Sequence, residues 1–177
     1  MTCLQLRTAD PADTRRLAAT VAGALRPGDV VSLTGELGAG KTCFVQGAAP
    51  ALGVTDRITS PSFVLRRDYR GDLATVLHLD VYRLDTLGEV LDLGYEEVAE
   101  GERITFIEWG DAMSQLLPAD HLEVELRLGD LDAVAFAPPA DELEAEVRHV
   151  TVHAHGDDWA RRLPGLAVDL QPWRAEA

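Results

Sequence analysis

The sequence predicts an α/β protein with a central, mostly parallel sheet, helices on both faces and extra strands near the C-terminus. Three observations predict it. Short apolar runs alternate with stretches of helical periodicity from Pro11 to Pro118. A glycine-rich turn from Gly35 to Gly40 joins one such run to one such helix, and beyond Pro118 the pattern changes to strand-like alternation.

Residues Pro11 to Leu25 read as an amphipathic helix with Leu17, Ala18, Val21, Ala22 and Leu25 on one face. Pro27-Gly28 breaks it. Val30 to Leu33 follows as a short buried strand, then the glycine-rich turn and a helix from about Lys41 to Leu52. Gly53 to Ser62 is loop-like. Ala74 to Leu79 and Arg103 to Ile107 read as strands, and Leu84 to Val98 between them as a helix with an acidic outer face. Leu122 to Leu128, Ala133 to Ala137 and Val147 to Val152 alternate as strands, which suggests additional antiparallel sheet at one side. From Leu163 onward, with Pro164 and Pro172, periodicity is weak and a poorly ordered tail is expected.

The length of 177 residues with 46% hydrophobic content suits a single domain spanning residues 1–177. The balance of 16 basic against 30 acidic residues gives a net charge of −14, which repels phosphate backbones and disfavours direct nucleic-acid binding. Cys3 and Cys43 have neither disulfide-framework nor zinc-type spacing. With no bilayer-length apolar run and no signal-peptide pattern, the expectation is a cytoplasmic chain without a membrane partner.

The chemistry concentrates at Gly35-Glu36-Leu37-Gly38-Ala39-Gly40-Lys41-Thr42, which fits the phosphate-binding loop G-x-x-x-x-G-K-[ST] with a strand before it and a helix after it. Glycines let successive backbone N–H groups turn inward around phosphate oxygens, and the helix start adds its positive dipole end. Lys41, the only lysine of the chain, is expected to reach the β- and γ-phosphates, and the Thr42 hydroxyl to ligate Mg²⁺. The nucleotide-binding residues are therefore Glu36, Leu37, Gly38, Ala39, Gly40, Lys41 and Thr42.

Hydrolysis also needs a carboxylate near the metal and a means of orienting water. Two strand ends supply one each, Asp80 and Glu108, and in open parallel sheets ligands sit beyond the carboxyl ends of the strands. Thr59-Ser60-Pro61-Ser62 offers three hydroxyls that can sense metal or γ-phosphate, although a plain proline turn has the same composition. Trp109 fits either a wall against ribose or base, or a packed core or interface position. His78, His153 and His155 form no ligand-type constellation, and His78 reads as packed in its strand. Tyr82 and Arg83 are placed to brace the loop after Asp80, and Arg83 alternatively to meet a partner.

Together these residues resemble one family, the bacterial TsaE (YjeE) ATPases of tRNA threonylcarbamoyladenosine biosynthesis. The likeness rests on the phosphate loop, on Thr59-Ser60-Pro61-Ser62-Phe63, on His78-Leu79-Asp80-Val81-Tyr82-Arg83-Leu84 and on Ile107-Glu108-Trp109, and it covers roughly residues 8 to 117. The phosphate loop alone is shared very widely, whereas the combination is much more specific. The resemblance implies a small Mg²⁺-dependent ATPase, weak alone, that cycles a TsaB–TsaD partner complex, with tRNA reached only through those partners. It also implies that Lys41 contacts phosphates, Thr42 and Glu108 hold Mg²⁺, and Asp80 supports water activation. Thr59 and Ser60 would belong to a switch-like loop, Trp109 to the nucleotide-side wall, and the helix start at Asp13-Thr14 would approach the adenine. Ser62 stands where threonine is commoner, Gly110 where many members have proline, and the stretch Asp130 to Glu146 is longer than usual.

Other readings use the same loop. A GTPase needs an Asn-Lys-x-Asp motif, which a chain with no asparagine and one lysine cannot contain. A small-molecule kinase normally needs an arginine-bearing lid, for which Arg66, Arg67 and Arg70 are the only close cluster before the acidic half. A non-hydrolysing interaction module would bind ATP without turnover.

Overall fold

The computed structural model describes residues 3–82, 89, 102–129 and 147–175. The expected helix Leu84 to Val98 apart from Glu89, the expected strand Ala133 to Ala137, Arg83 and the long stretch Asp130 to Glu146 lie outside the described residues.

The chain starts with β1 (Cys3–Thr8), which the sequence reading missed although Leu4, Leu6 and Thr8 alternate inward with period two. Helix α1 (Pro11–Ala22) begins at a reciprocal cap. The Asp10 carboxylate accepts the Asp13 N–H at 2.6 Å, and the Asp13 carboxylate accepts the Ala9 N–H at 2.9 Å. It stops three residues short of the expected Leu25. Ala24 and Leu25 turn back onto Val21 and Ala22 with tight i→i−3 bonds, ahead of Pro27.

β2 (Val30–Thr34) is buried along its whole length, as a strand flanked on both sides must be. Helix α2 (Lys41–Ala51) follows the glycine-rich turn. β3 (Arg66–Arg70) was also missed. Only Tyr69 of its five residues is buried, so this edge strand carries almost no apolar signal. β4 (Thr75–Asp80), β5 (Arg103–Glu108), β6 (His121–Leu128) and β7 (Arg148–His155) fall where the alternation placed them, with ends that differ by one to three residues.

Among the described residues these strands form one seven-stranded sheet in the order β1-β7-β6-β2-β5-β4-β3. The four central strands β6, β2, β5 and β4 are parallel. Antiparallel pairs flank them, β3 on one side and β7 then β1 on the other, so the sheet is mixed. One face carries the larger core, in which Val31, Leu33, Phe106 and Val124 pack with Leu17 and Val21 of α1 and Phe44 and Val45 of α2. The opposite face carries Val30, Leu77, Leu79 and Ile107, closed by Met113 at the end of a short 3₁₀ turn, Gly110–Met113.

The expectation of a poorly ordered tail is overturned. Helix α3 (Gly156–Asp169) runs through Leu163 and Pro164, and a 3₁₀ turn, Gln171–Trp173, follows it. Trp159, Leu163, Leu166 and Leu170 fall at helical spacing and are almost wholly buried in the larger core. A proline inside a helix costs about 3 kcal/mol, but burying each large apolar side chain contributes about 1.5–3 kcal/mol, so packing wins. Arg162 adds a clamp, donating to the Asp29 carboxylate at 2.6 and 2.8 Å and to the Asp158 carboxylate at 3.0 Å.

Candidate functional site

The site lies where the parallel strands end. Gly35, directly after β2, has φ 130°, and a Cβ there would sit 2.0 Å from the Leu126 carbonyl oxygen, so only glycine admits this approach of the turn to β6. From there the loop rises to an exposed tip at Leu37, buries Ala39, and enters α2 at Gly40. The guanidinium of Arg148 in β7 crosses to the outside of the loop, where Nε donates to the Ala39 carbonyl at 3.0 Å and an Nη to the Gly38 carbonyl at 3.5 Å. Those two carbonyls are thereby engaged, and within the loop the Ala39 N–H donates to the Glu36 carbonyl at 3.1 Å.

A cavity of about 320 Å³ opens between this loop and the ends of β4 and β5, within the range of small-molecule sites. Leu37, Gly38, Gly40, Lys41 and Thr42 line it, together with Ser60, Asp80, Glu108 and Trp109. Cys43 and Ser62 complete the lining. Of the expected residues, Ala39 is buried behind the loop, Glu36 faces a neighbouring acidic cavity, and half-buried Thr59 does not line the site.

Lys41 Nζ is buried and donates to the carbonyls of Gly35 at 2.6 Å and Glu36 at 2.9 Å. It also sits 3.5 Å from the centre of the Trp109 ring, a contact worth about 0.5–2 kcal/mol. Burial pushes the Lys41 ammonium below the ordinary lysine value, against the pull of the carboxylates of Glu108, Asp80, Asp111 and Glu36. An incoming polyphosphate would add to that pull and strengthen the charged form.

Trp109 holds a left-handed backbone, φ 64° and ψ 37°, a rare conformation for a bulky residue and a sparse region that recurs at functional sites. Its N–H donates to the Leu33 carbonyl at 2.8 Å, and its ring leans on Tyr82 at a centroid separation of 4.7 Å. Gly110 follows, where a Cβ would lie 2.0 Å from Ser32 Oγ and 2.9 Å from Ser32 Cβ.

The two carboxylates have separate donors. Glu108 Oε1 accepts the Thr42 hydroxyl at 2.7 Å and meets His78 Nε2 at 2.8 Å. Asp80 Oδ2 accepts from Ser62 Oγ at 2.5 Å and Ser60 Oγ at 3.4 Å, while Oδ1 accepts the Tyr82 N–H at 3.1 Å. Tyr82 thus braces the Asp80 loop, as expected. A hydroxyl and two carboxylates form a hard oxygen set that suits Mg²⁺. Among the described residues no cluster of three or more His, Cys, Asp or Glu makes a protein cage. An ion here would complete its shell with phosphate oxygens and water, as Mg²⁺ does.

Sequence reasoning missed two contributors. His78 is packed in its strand but also bonded to Glu108; its signal was the period-two spacing that puts it on the face of Asp80. Arg148 gave no signal, since nothing in the sequence ties β7 to the loop. The Asp13-Thr14 side chains turn to internal work. Asp13 accepts from Trp173 Nε1 at 2.7 Å, and the buried Thr14 hydroxyl pairs with that of Thr8 at 2.8 Å. The start of α1 still touches the site, through Cys43 Sγ at 3.3 Å from the Pro11 carbonyl.

Comparison with known proteins gives the family and the fold. Residues 8–133 match the family model described as threonylcarbamoyl adenosine biosynthesis protein TsaE. The chain is 38% identical over 128 residues to the Bacillus subtilis tRNA threonylcarbamoyladenosine biosynthesis protein TsaE, covering 72% of this chain and 80% of the relative. It is 44% identical over 116 residues to the Treponema pallidum protein of the same name, covering 66% and 85%. The crystal structure of Bacillus subtilis YdiB superposes with a TM-score of 0.75 at 28% identity, covering 95% of this chain and 97% of that one. With a phosphate loop, two strand-end carboxylates and a family match over most of its length, this chain belongs to the TsaE family.

Proposed function

We propose that this chain is a Mg²⁺-dependent ATPase of the tRNA threonylcarbamoyladenosine modification machinery, acting with a TsaB–TsaD-like complex that handles the tRNA. One observation carries the reading. The Lys41 ammonium, the Thr42 hydroxyl and the carboxylates of Asp80 and Glu108 all line a single cavity at the mouth of the glycine loop.

In this reading the loop amides and Lys41 neutralise the phosphates, exchanging the Gly35 and Glu36 carbonyls for phosphate oxygens. Thr42 and Glu108 would hold Mg²⁺, which supplies charge neutralisation for the phosphoryl group when bound. Asp80 orients water for in-line attack on the γ-phosphate, yielding ADP and inorganic phosphate. Trp109 walls the cavity and fixes Lys41 from one side. Both Asp80 oxygens accept hydrogen bonds that hold the carboxylate in place, and the reaction is expected to be slow in the isolated chain and faster once partners engage. Support for the pathway comes from the family match; the surface charge agrees, since a chain of net charge −14 leaves tRNA to its partners.

The test is phosphate release from ATP by the purified chain with Mg²⁺, alone and with the partner complex. A rate raised by partners supports the reading. Binding of ATP with no turnover under either condition would leave only a nucleotide-dependent interaction module.

A further inference from the structure

His78 is wholly buried in β4, yet its two ring nitrogens are treated unequally. Nε2 lies 2.8 Å from Glu108 Oε1, whereas Nδ1 meets no hydrogen-bond partner among the described residues. An unpaired buried polar atom costs about 1–3 kcal/mol, so packing alone favours an apolar residue at this position. The imidazole at this position points to the work of Nε2.

That work is visible at Glu108. The Thr42 hydroxyl and His78 Nε2 both fall on the same oxygen, Oε1, from opposite elements, α2 and β4. Glu108 faces the cavity, and its second oxygen accepts no hydrogen bond among the described residues. Two donors on one oxygen fix the carboxylate plane and leave the other oxygen unencumbered. In the Nε2–H tautomer the imidazole donates to that carboxylate oxygen. Strand register makes the arrangement possible. His78 and Asp80 project from the same side of β4, and β4 runs parallel to β5 with Asp80 opposite Glu108.

We propose that His78 is a positioning residue that sets the Glu108 carboxylate for the metal–nucleotide complex. The inference rests on the ATPase reading above and deepens it. His78 does not reach the cavity and touches no reacting atom; it acts through Glu108, as the outer hydrogen-bond partner of a metal-ligating side chain does.

The test compares the wild type with His78→Leu, which removes Nε2, and His78→Gln, whose amide N–H can reach the same oxygen. Mn²⁺ affinity is read by electron paramagnetic resonance of free Mn²⁺ in the presence of a non-hydrolysable ATP analogue. Binding of the analogue itself is read by calorimetry in chelator, and folding by thermal melting. The expected result is a Mn²⁺ affinity about ten- to one-hundredfold weaker in His78→Leu. Metal-free analogue binding should stay unchanged, and His78→Gln should return most of the metal affinity. Unchanged Mn²⁺ affinity in a folded His78→Leu overturns the inference and leaves the ATPase reading intact. So does an equal loss in both variants, because the amide should then have rescued it. A wild type that binds the analogue equally with and without Mn²⁺ overturns the ATPase reading itself.

Discussion

Asp80 and Glu108 are register partners, side by side at the carboxyl ends of the adjacent parallel strands β4 and β5. Neighbouring strands lie about 4.8 Å apart, so two carboxylates at this register would repel unless each were held. Each is held by its own donors, Glu108 by Thr42 and His78, Asp80 by Ser60, Ser62 and the Tyr82 amide, and both act on the Lys41 ammonium. The separation of donors is what lets two like groups take different roles on one wall.

Lys41→Ala is expected to abolish measurable ATP binding. Hydrogen bonds to charged groups contribute about 1.5–3 kcal/mol each, and Lys41 is the main cation aimed into the cavity. Titration calorimetry checks this, and near-normal affinity in the variant would refute the assigned role of Lys41.

Glu108→Ala and Asp80→Asn should separate the carboxylates. The first is expected to weaken Mg²⁺-dependent turnover more than ATP binding. The second should slow hydrolysis by about a hundredfold, the usual scale for a lost acid–base partner, with fold and ATP affinity retained. Steady-state phosphate release at several Mg²⁺ concentrations, beside calorimetry, distinguishes them. Equal losses of binding and turnover in Glu108→Ala would make Glu108 structural.

Much of this site was legible in the sequence because its signals are local. The glycine pattern, the lysine-hydroxyl pair and carboxylates ending apolar runs depend only on neighbours along the chain. What was not legible depends on pairing across the sheet. β3 is an edge whose arginines hide its extended form, β1 buries only Leu4, Leu6 and Thr8 and finds its partner β7 far along the chain, and Arg148 finds the loop only through strand order. The C-terminal helix is a different failure. Trp159, Leu163, Leu166 and Leu170 carried the pattern, but Pro164-Gly165 argued against a helix locally, and burial overrode that local preference.

The C-terminal helix is therefore part of the core, and Leu163→Ala should destabilise the protein by about 2–5 kcal/mol. Chemical denaturation gives the value. A loss below the cost of a surface substitution, about 0.5 kcal/mol, would mean that the segment does not dock.

Stability should also depend on pH through His121, at the start of β6. Its ring stacks on His155 with centroids 4.2 Å apart, and Nδ1 bonds the Pro118 carbonyl at 2.7 Å. Burial holds its pKa below the ordinary histidine value; the Pro118 carbonyl opposes this, His155 adds to it, and Glu123 and Asp120 oppose it. The unfolded chain therefore binds the proton more readily than the folded one. This contribution is complete above the unfolded value of about 6.5 and is lost as pH falls below it. His121→Asn, which keeps a donor for Pro118 but does not titrate, should flatten the melting temperature between about pH 7 and about pH 5. An identical pH profile in the two proteins would remove His121 as the source.

The bond from Arg148 to the Ala39 carbonyl spans 109 positions of sequence. A local glycine pattern thus has a remote keystone, and the outer side of the phosphate cradle is finished only when a strand from late in the chain arrives. During synthesis the motif emerges long before its brace. A nascent or clipped chain ending ahead of residue 148 would display the fingerprint of a nucleotide binder with its Gly38 and Ala39 carbonyls still free to swing inward.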